Sequence, residues 1–117
     1  MAKGDDIQNR LIDFAVEVIK LFSRLPKTPA GTHVAGQLLR SGTSPGPHYG
    51  EVRGAETRRD FVHKLGIIFK ELNESMIWLE VIRRSKMMSG DSVSPMHSEC
   101  TELCKIIATS IRTASHH

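Results

Sequence analysis

The 117-residue chain has 39% hydrophobic and 25% charged residues, the balance of one ordinary globular domain spanning residues 1–117. Its net charge of +3 is mildly basic, and its two cysteines exclude a disulfide framework. No apolar run approaches the ~18 residues of a membrane span, and Lys3, Asp5 and Asp6 interrupt any secretory signal, so a cytoplasmic location without membrane contact is expected.

In the first segment, Ile7, Leu11, Phe14, Val18, Leu21 and Leu25 repeat at alternating spacings of four and three, a heptad-like seam. Asp5 is the expected cap, with Gln8 in a capping-box position, and Pro26 ends the helix. Ile12, Val16 and Ile19 lie off that seam. The second segment opens at Thr28-Pro29, a capping hydroxyl before a first-turn proline, and Val34, Leu38 and Leu39 give it an inner face. Gly42-Thr43-Ser44-Pro45-Gly46-Pro47 then predicts a kink, with helix resuming from about Pro47 to Ala55.

Thr57 and Asp60 announce the third helix. Phe61, Leu65, Ile68, Leu72, Leu79 and Ile82 form its seam, and Ser75 fills the one gap. Arg83, Arg84 and Lys86 complement its C-terminal dipole, and Gly90 is the expected stop. Ser94-Pro95 is the expected start of the fourth helix, which carries Met96, Cys100, Leu103, Ile107 and Ile111. With period-two alternation absent, the fold class is all-α: an antiparallel up-and-down four-helix bundle with a kinked second helix. Val62, Phe69 and Met76, like Ile12, Val16 and Ile19, are apolar residues beyond one seam. A wide core-facing stripe explains either helix alone; the two together favour an oligomer interface.

Gly42-Thr43-Ser44-Pro45-Gly46 has the letters of a nucleophile elbow, but that motif needs a strand-to-helix turn, and a helix precedes it here. Cys100 and Cys104 share a helical face with only His97 nearby, so two small buried hydrophobes are a better reading than a metal site. The remaining histidines form no ligand pair; His116 and His117 read as a tail or a purification remnant. Glu71 and Glu74 read as exposed helix carboxylates, and no glycine-rich phosphate loop exists. No catalytic residue, metal or cofactor is expected.

The basic residues carry more. Between Glu17 and Glu51 there is no acid, whereas Lys20, Arg24, Lys27 and Arg40 are all cationic. An up-and-down bundle brings Lys20, Arg24 and Lys27 to the same end as Arg83, Arg84 and Lys86. With Arg40, Arg53, Arg58 and Arg59 these are the candidate phosphate contacts for RNA or DNA, against the alternative of a solvated, dipole-matched helix end. Few aromatics argue against base stacking, so backbone-directed, salt-sensitive binding is the expected form. The competing function is a protein-interaction scaffold without nucleic-acid contact.

The runs Leu25-Pro26-Lys27-Thr28, Gln37-Leu38-Leu39-Arg40-Ser41-Gly42-Thr43-Ser44 and Arg53-Gly54-Ala55-Glu56-Thr57-Arg58-Arg59-Asp60-Phe61-Val62-His63-Lys64-Leu65 resemble one bacterial family of four-helix-bundle proteins. So do Phe69-Lys70-Glu71-Leu72-Asn73-Glu74-Ser75 and Trp78-Leu79-Glu80. The family is often labelled S23 and includes proteins encoded in intervening sequences of 23S ribosomal RNA genes. The resemblance implies an antiparallel bundle, a homopentamer and no known catalytic residue. Similar accessory proteins of diversity-generating retroelements bind nucleic acid and a reverse transcriptase. The chain departs from the family pattern at Pro45, Gly46, Pro47, His48 and Gly50, which implies a second helix more sharply kinked or shorter than in relatives and, if that surface meets a partner, a different partner.

Overall fold

The computed structural model describes residues 3–116 and is helical throughout: α1 (Lys3–Arg24), α2 (Pro29–Thr43), α3 (Pro45–Val52), α4 (Arg58–Ser85) and α5 (Gly90–Ser115). α2 and α3 run as one kinked rod, so four rods pack up and down in an elongated body of 47 × 24 × 22 Å. Helix length sets that shape, since the 28 residues of α4 span about 42 Å at ~1.5 Å per residue. Among the described residues, no helix is long and apolar enough to cross a membrane.

The seams fold inward as their spacing requires. Leu11, Phe14, Val18, Leu21 and Leu25 of the first rod are buried, as are Leu65, Ile68, Leu72, Leu79 and Ile82 of α4. Val93, Met96, Cys100, Leu103, Cys104 and Ile107 form the inner face of α5. Ser75 is fully buried, and its Oγ donates to Ser41 Oγ across the α2–α4 interface at 2.8 Å. Ser41 Oγ in turn reaches the Leu38 carbonyl at 3.4 Å. The gap in the α4 seam is a satisfied polar contact.

Two glycines set the approach of α1 to α2. A Cβ on Gly42 would stand 2.7 Å from Val18 Cγ2, and one on Gly31 would stand 2.1 Å from the Pro26 carbonyl oxygen. Gly31 N also donates to the capping Thr28 Oγ1 at 3.0 Å, which fixes the turn between the two helices.

The kink falls at Ser44. Pro45 and Pro47 have no N–H for the carbonyls of Ser41 and Thr43, while the Thr43 and Ser44 hydroxyls each donate to a carbonyl one turn back at 2.6 Å. Helix resumes at Pro45, two residues before the expected Pro47, because a first-turn proline needs no N–H partner. It ends at Val52 instead of Ala55. Gln8 Nε2 donates to the Gly46 carbonyl at 2.7 Å and holds α3 on α1. Gln8 therefore does not serve the expected capping box, and Asp5 lies inside the first turn of α1.

The fourth helix differs most from expectation. It begins at Gly90, with Ser89 Oγ accepting from Asp91 N, and Pro95 lies inside it. Proline there removes only the bond that the Asp91 carbonyl would accept, near an end where partners are already incomplete. The α4 stop is Lys86, in the left-handed conformation at φ 60°, with its N–H on the Arg83 carbonyl. Gly90 begins a helix and does not end one.

Candidate nucleic-acid and assembly surfaces

α1 ends, α2 begins, α4 ends and α5 begins at one end of the bundle. A 3.0 Å hydrogen bond from Arg24 Nη2 to Ser92 Oγ ties α1 to α5 there. Lys20, Arg24, Lys27, Arg83, Arg84 and Lys86 therefore share that end. Their acidic neighbours are Glu17, 3.6 Å from Lys20, together with Glu80 and Asp91. Glu80 receives both Arg83 and Arg84, the latter at 2.7 Å, and His97 Nε2 lies 3.4 Å away. Its carboxyl is held below its usual range by the Arg84 hydrogen bond first and by the charges of Arg83 and Arg84, against some desolvation. Lys27 Nζ stands 5.6 Å above the Phe22 ring, a cation–π contact that leaves the charge facing solvent. Lys20 and Arg84 are largely exposed, so their ion pairs are weak and open to exchange for phosphate.

The other four candidates do not join this cluster. Arg53 Nη2 binds Asp5 Oδ1 at 2.7 Å at the opposite end. Arg58 and Arg59 stand with it, on segments that also carry Asp6, Glu51, Glu56 and Asp60, so acids outnumber the arginines there. Arg40 lies on α2, paired with Glu74, which also accepts Trp78 Nε1 at 3.2 Å. The His33 and Trp78 rings meet in a T-shaped arrangement at a centroid distance of 6.0 Å. Sequence separation hid this partition, because the α3–α4 turn is at the far end from the α1–α2 turn.

The apolar candidates also divide. Ile12, Val16 and Ile19 are 46%, 42% and 51% exposed and line one outer face of α1. Phe69 and Met76 pack against the core; the Met76 sulfur accepts from Thr101 Oγ1 of α5 at 3.4 Å, and Val62 is half-buried. The close α4–α5 pairing takes up that stripe. The exposed apolar residues of α4 are Ile67, Ile77 and Val81. Ile77 and Val81 are one turn apart, but Lys70 and Glu74 on the same face masked the pattern in the sequence.

The elements of a metal or thiol site are directed elsewhere. Cys100 Sγ donates to the Leu72 carbonyl at 3.1 Å, and His97 faces Glu80. Among the described residues, no three His, Cys, Asp or Glu side chains come together. Cys100 and Cys104 are free and buried; the neighbouring Cys104 thiol, together with burial, pushes the Cys100 thiol up, while Cys100 holds Cys104 down. Ser44 Oγ is bonded to the Arg40 carbonyl within a helical kink, with no strand before it. His117 lies outside the described residues.

The sequence profile of the 23S rRNA-intervening sequence proteins matches residues 5–109, nearly the whole bundle. The chain belongs to that family. A crystal structure from Bacteroides thetaiotaomicron VPI-5482, described as a protein with unknown function from the S23 ribosomal protein family, is similar to it. The two superpose with a TM-score of 0.84 at 31% identity, over 90% of this chain and 97% of the other. No curated protein matches the chain significantly. The superposition agrees with the all-α bundle of the 23S rRNA-intervening sequence protein family.

Proposed function

We propose that the chain is a non-enzymatic, cytoplasmic, homo-oligomeric bundle that binds RNA or DNA backbone through its basic end. The observation that carries the binding is the meeting of Lys20, Arg24, Lys27, Arg83, Arg84 and Lys86, from three separate segments, at one end. Assembly is supported by the α1 face of Ile12, Val16 and Ile19, which the bundle leaves outside its own core. Five copies is the number that the family resemblance implies, and a ring would multiply the positive field of each end.

Titration of a structured RNA and a duplex DNA at two salt concentrations tests the binding. The expected affinity falls steeply with salt, with a log–log slope of about −0.9 per phosphate contacted on a duplex. Binding indifferent to salt, or none at low salt, contradicts it. A second reading, a scaffold for a protein such as a reverse transcriptase, draws support from Arg83 and Arg84, whose charges Glu80 partly satisfies. A partner that stays bound after nuclease treatment favours that reading.

A further inference from the structure

α1 and α4 stand diagonally across the bundle, each flanked by the α2–α3 rod on one side and by α5 on the other. Both carry exposed apolar residues, and on both these lie toward the rod. On α1, Arg10 and Arg24 turn to Glu99 and Ser92 of α5, whereas a Cβ on Gly46 of α3 would touch Ile12 Cγ1 at 3.8 Å. Val16 and Ile19 continue the strip from Ile12 at helical spacing. On α4, Met76 and Glu80 face Thr101 and His97 of α5, whereas Glu71, Glu74 and Trp78 face His48, Arg40 and His33 of the rod. Ile67, Ile77 and Val81 each stand one helical turn from one of these rod-facing side chains and share their side.

The two strips therefore occupy neighbouring sides of the bundle that meet at the rod, and they stand at one height. Both helices end at the basic end. Counted from there at ~1.5 Å per residue, Val16 and Ile19 lie about 12 and about 8 Å along α1, and Ile77 and Val81 about 12 and about 6 Å along α4. Exposed Asp13 and Lys70 flank the strips with opposite charge, within about one turn of the same height. Neither has an ion-pair partner among the described residues.

We infer that the α1 strip of one copy docks on the α4 strip of the next, head to tail, with α2 turned toward the axis of the ring. This rests on the assembly reading above and names its second surface. Pairing of two α1 strips would leave Ile67, Ile77 and Val81 uncovered, whereas head-to-tail pairing covers both strips and sets Asp13 against Lys70. Equal heights mean that each copy follows from the last by rotation with little rise, so the copies close as a ring and do not climb as a filament. Two sides that meet at about 90–120° close after about four to six copies. Toward the axis α2 presents Ala30, Thr32 and Gly36, and a Cβ on Gly36 would meet nothing within 4 Å of its own chain. A crowded axis supplies the reason for small residues that packing within one copy does not.

The test mixes two full-length variants, each blocked on one surface: Val16→Glu and Ile77→Glu, at positions 42% and 53% exposed. By sedimentation equilibrium each alone should be a monomer with a helical circular dichroism spectrum, because every joint of the ring uses both surfaces. An equimolar mixture should give a dimer of one copy each and nothing larger, joined by the two surfaces left intact. Independently, a short bis-maleimide should link copies of Ile19→Cys/Val81→Cys into a covalent ladder. An oligomeric wild type whose size Ile77→Glu leaves unchanged, a mixture that stays monomeric or regains the full size, or the absence of a ladder would overturn this assignment alone. A monomeric wild type would overturn the assembly reading with it.

Discussion

Ser75 Oγ lies 2.8 Å from Ser41 Oγ, a hydroxyl pair sealed between α4 and α2 where the α4 seam would otherwise carry a large apolar side chain. Each hydroxyl also reaches a carbonyl of its own helix, Leu38 for Ser41 and Glu71 for Ser75. Removing one partner of a buried pair costs more per group than removing both. Ser75→Ala should cost about 1 kcal/mol, and Ser41→Ala/Ser75→Ala should cost less than the sum of the single changes. Urea unfolding of the four species measures the coupling, and strict additivity would show that the pair does not act as a unit.

Three helix glycines should rank by what a Cβ would meet. At Gly36 nothing stands within 4 Å, so Gly36→Ala in the isolated bundle should gain up to about 1 kcal/mol from helix propensity. At Gly42 the Cβ meets Val18 at 2.7 Å, and overpacking of this kind costs about 1–3 kcal/mol. Val18→Ala should recover part of that loss. At Gly31 the obstacle is the Pro26 backbone, which cannot move aside as a side chain can, so Gly31→Ala should be the least stable of the three. Thermal midpoints read the order directly.

Glu80 gives a pH dependence whose sign follows from its pairing. Its folded-state pKa is depressed, chiefly by the Arg84 hydrogen bond, so the contribution is complete above the ordinary carboxylate pKa. It disappears as pH falls through the depressed value. Between about pH 7 and about pH 3, wild type should therefore lose more stability than Glu80→Gln, and the two should converge at the acid limit. Parallel losses across that range would mean that the Arg83–Glu80–Arg84 contact contributes nothing.

The two α5 thiols should stay unlinked in the folded protein. Residues four apart on a helix hold their Cβ atoms about 5–6 Å apart, whereas a disulfide needs about 3.5–4.5 Å. Cys104 is the less buried and has the lowered pKa, while Cys100 is fully enclosed with a raised one. A thiol reagent should label Cys104 first and slowly, and Cys100 only on unfolding. Equal labelling rates under native conditions would contradict the burial order.

The seams, the Thr28 and Thr57 caps and the kink were legible because each follows from local chemistry: apolar spacing, a hydroxyl before a first turn, prolines without N–H. The ends of α4 and α5 were not. Gly90 and Pro95 both read as boundaries, but a left-handed Lys86 ends α4, and a second-turn proline does little to a helix already capped by Ser89. The candidate surface was half legible. Topology alone gathers Lys20, Arg24 and Lys27 with Arg83, Arg84 and Lys86, whereas Arg53, Arg58 and Arg59 lie beyond the kinked rod, at the other end. The burial of Phe69 and Met76 depends on how closely α5 lies on α4, which no pattern within α4 reveals.

Sedimentation equilibrium of the wild-type chain at micromolar concentration, beside Val16→Glu, tests the assembly most directly. The predicted result is a closed oligomer of five 13.0 kDa copies that the charge on the outer α1 face converts to a folded monomer. A wild-type mass of a single copy would contradict it.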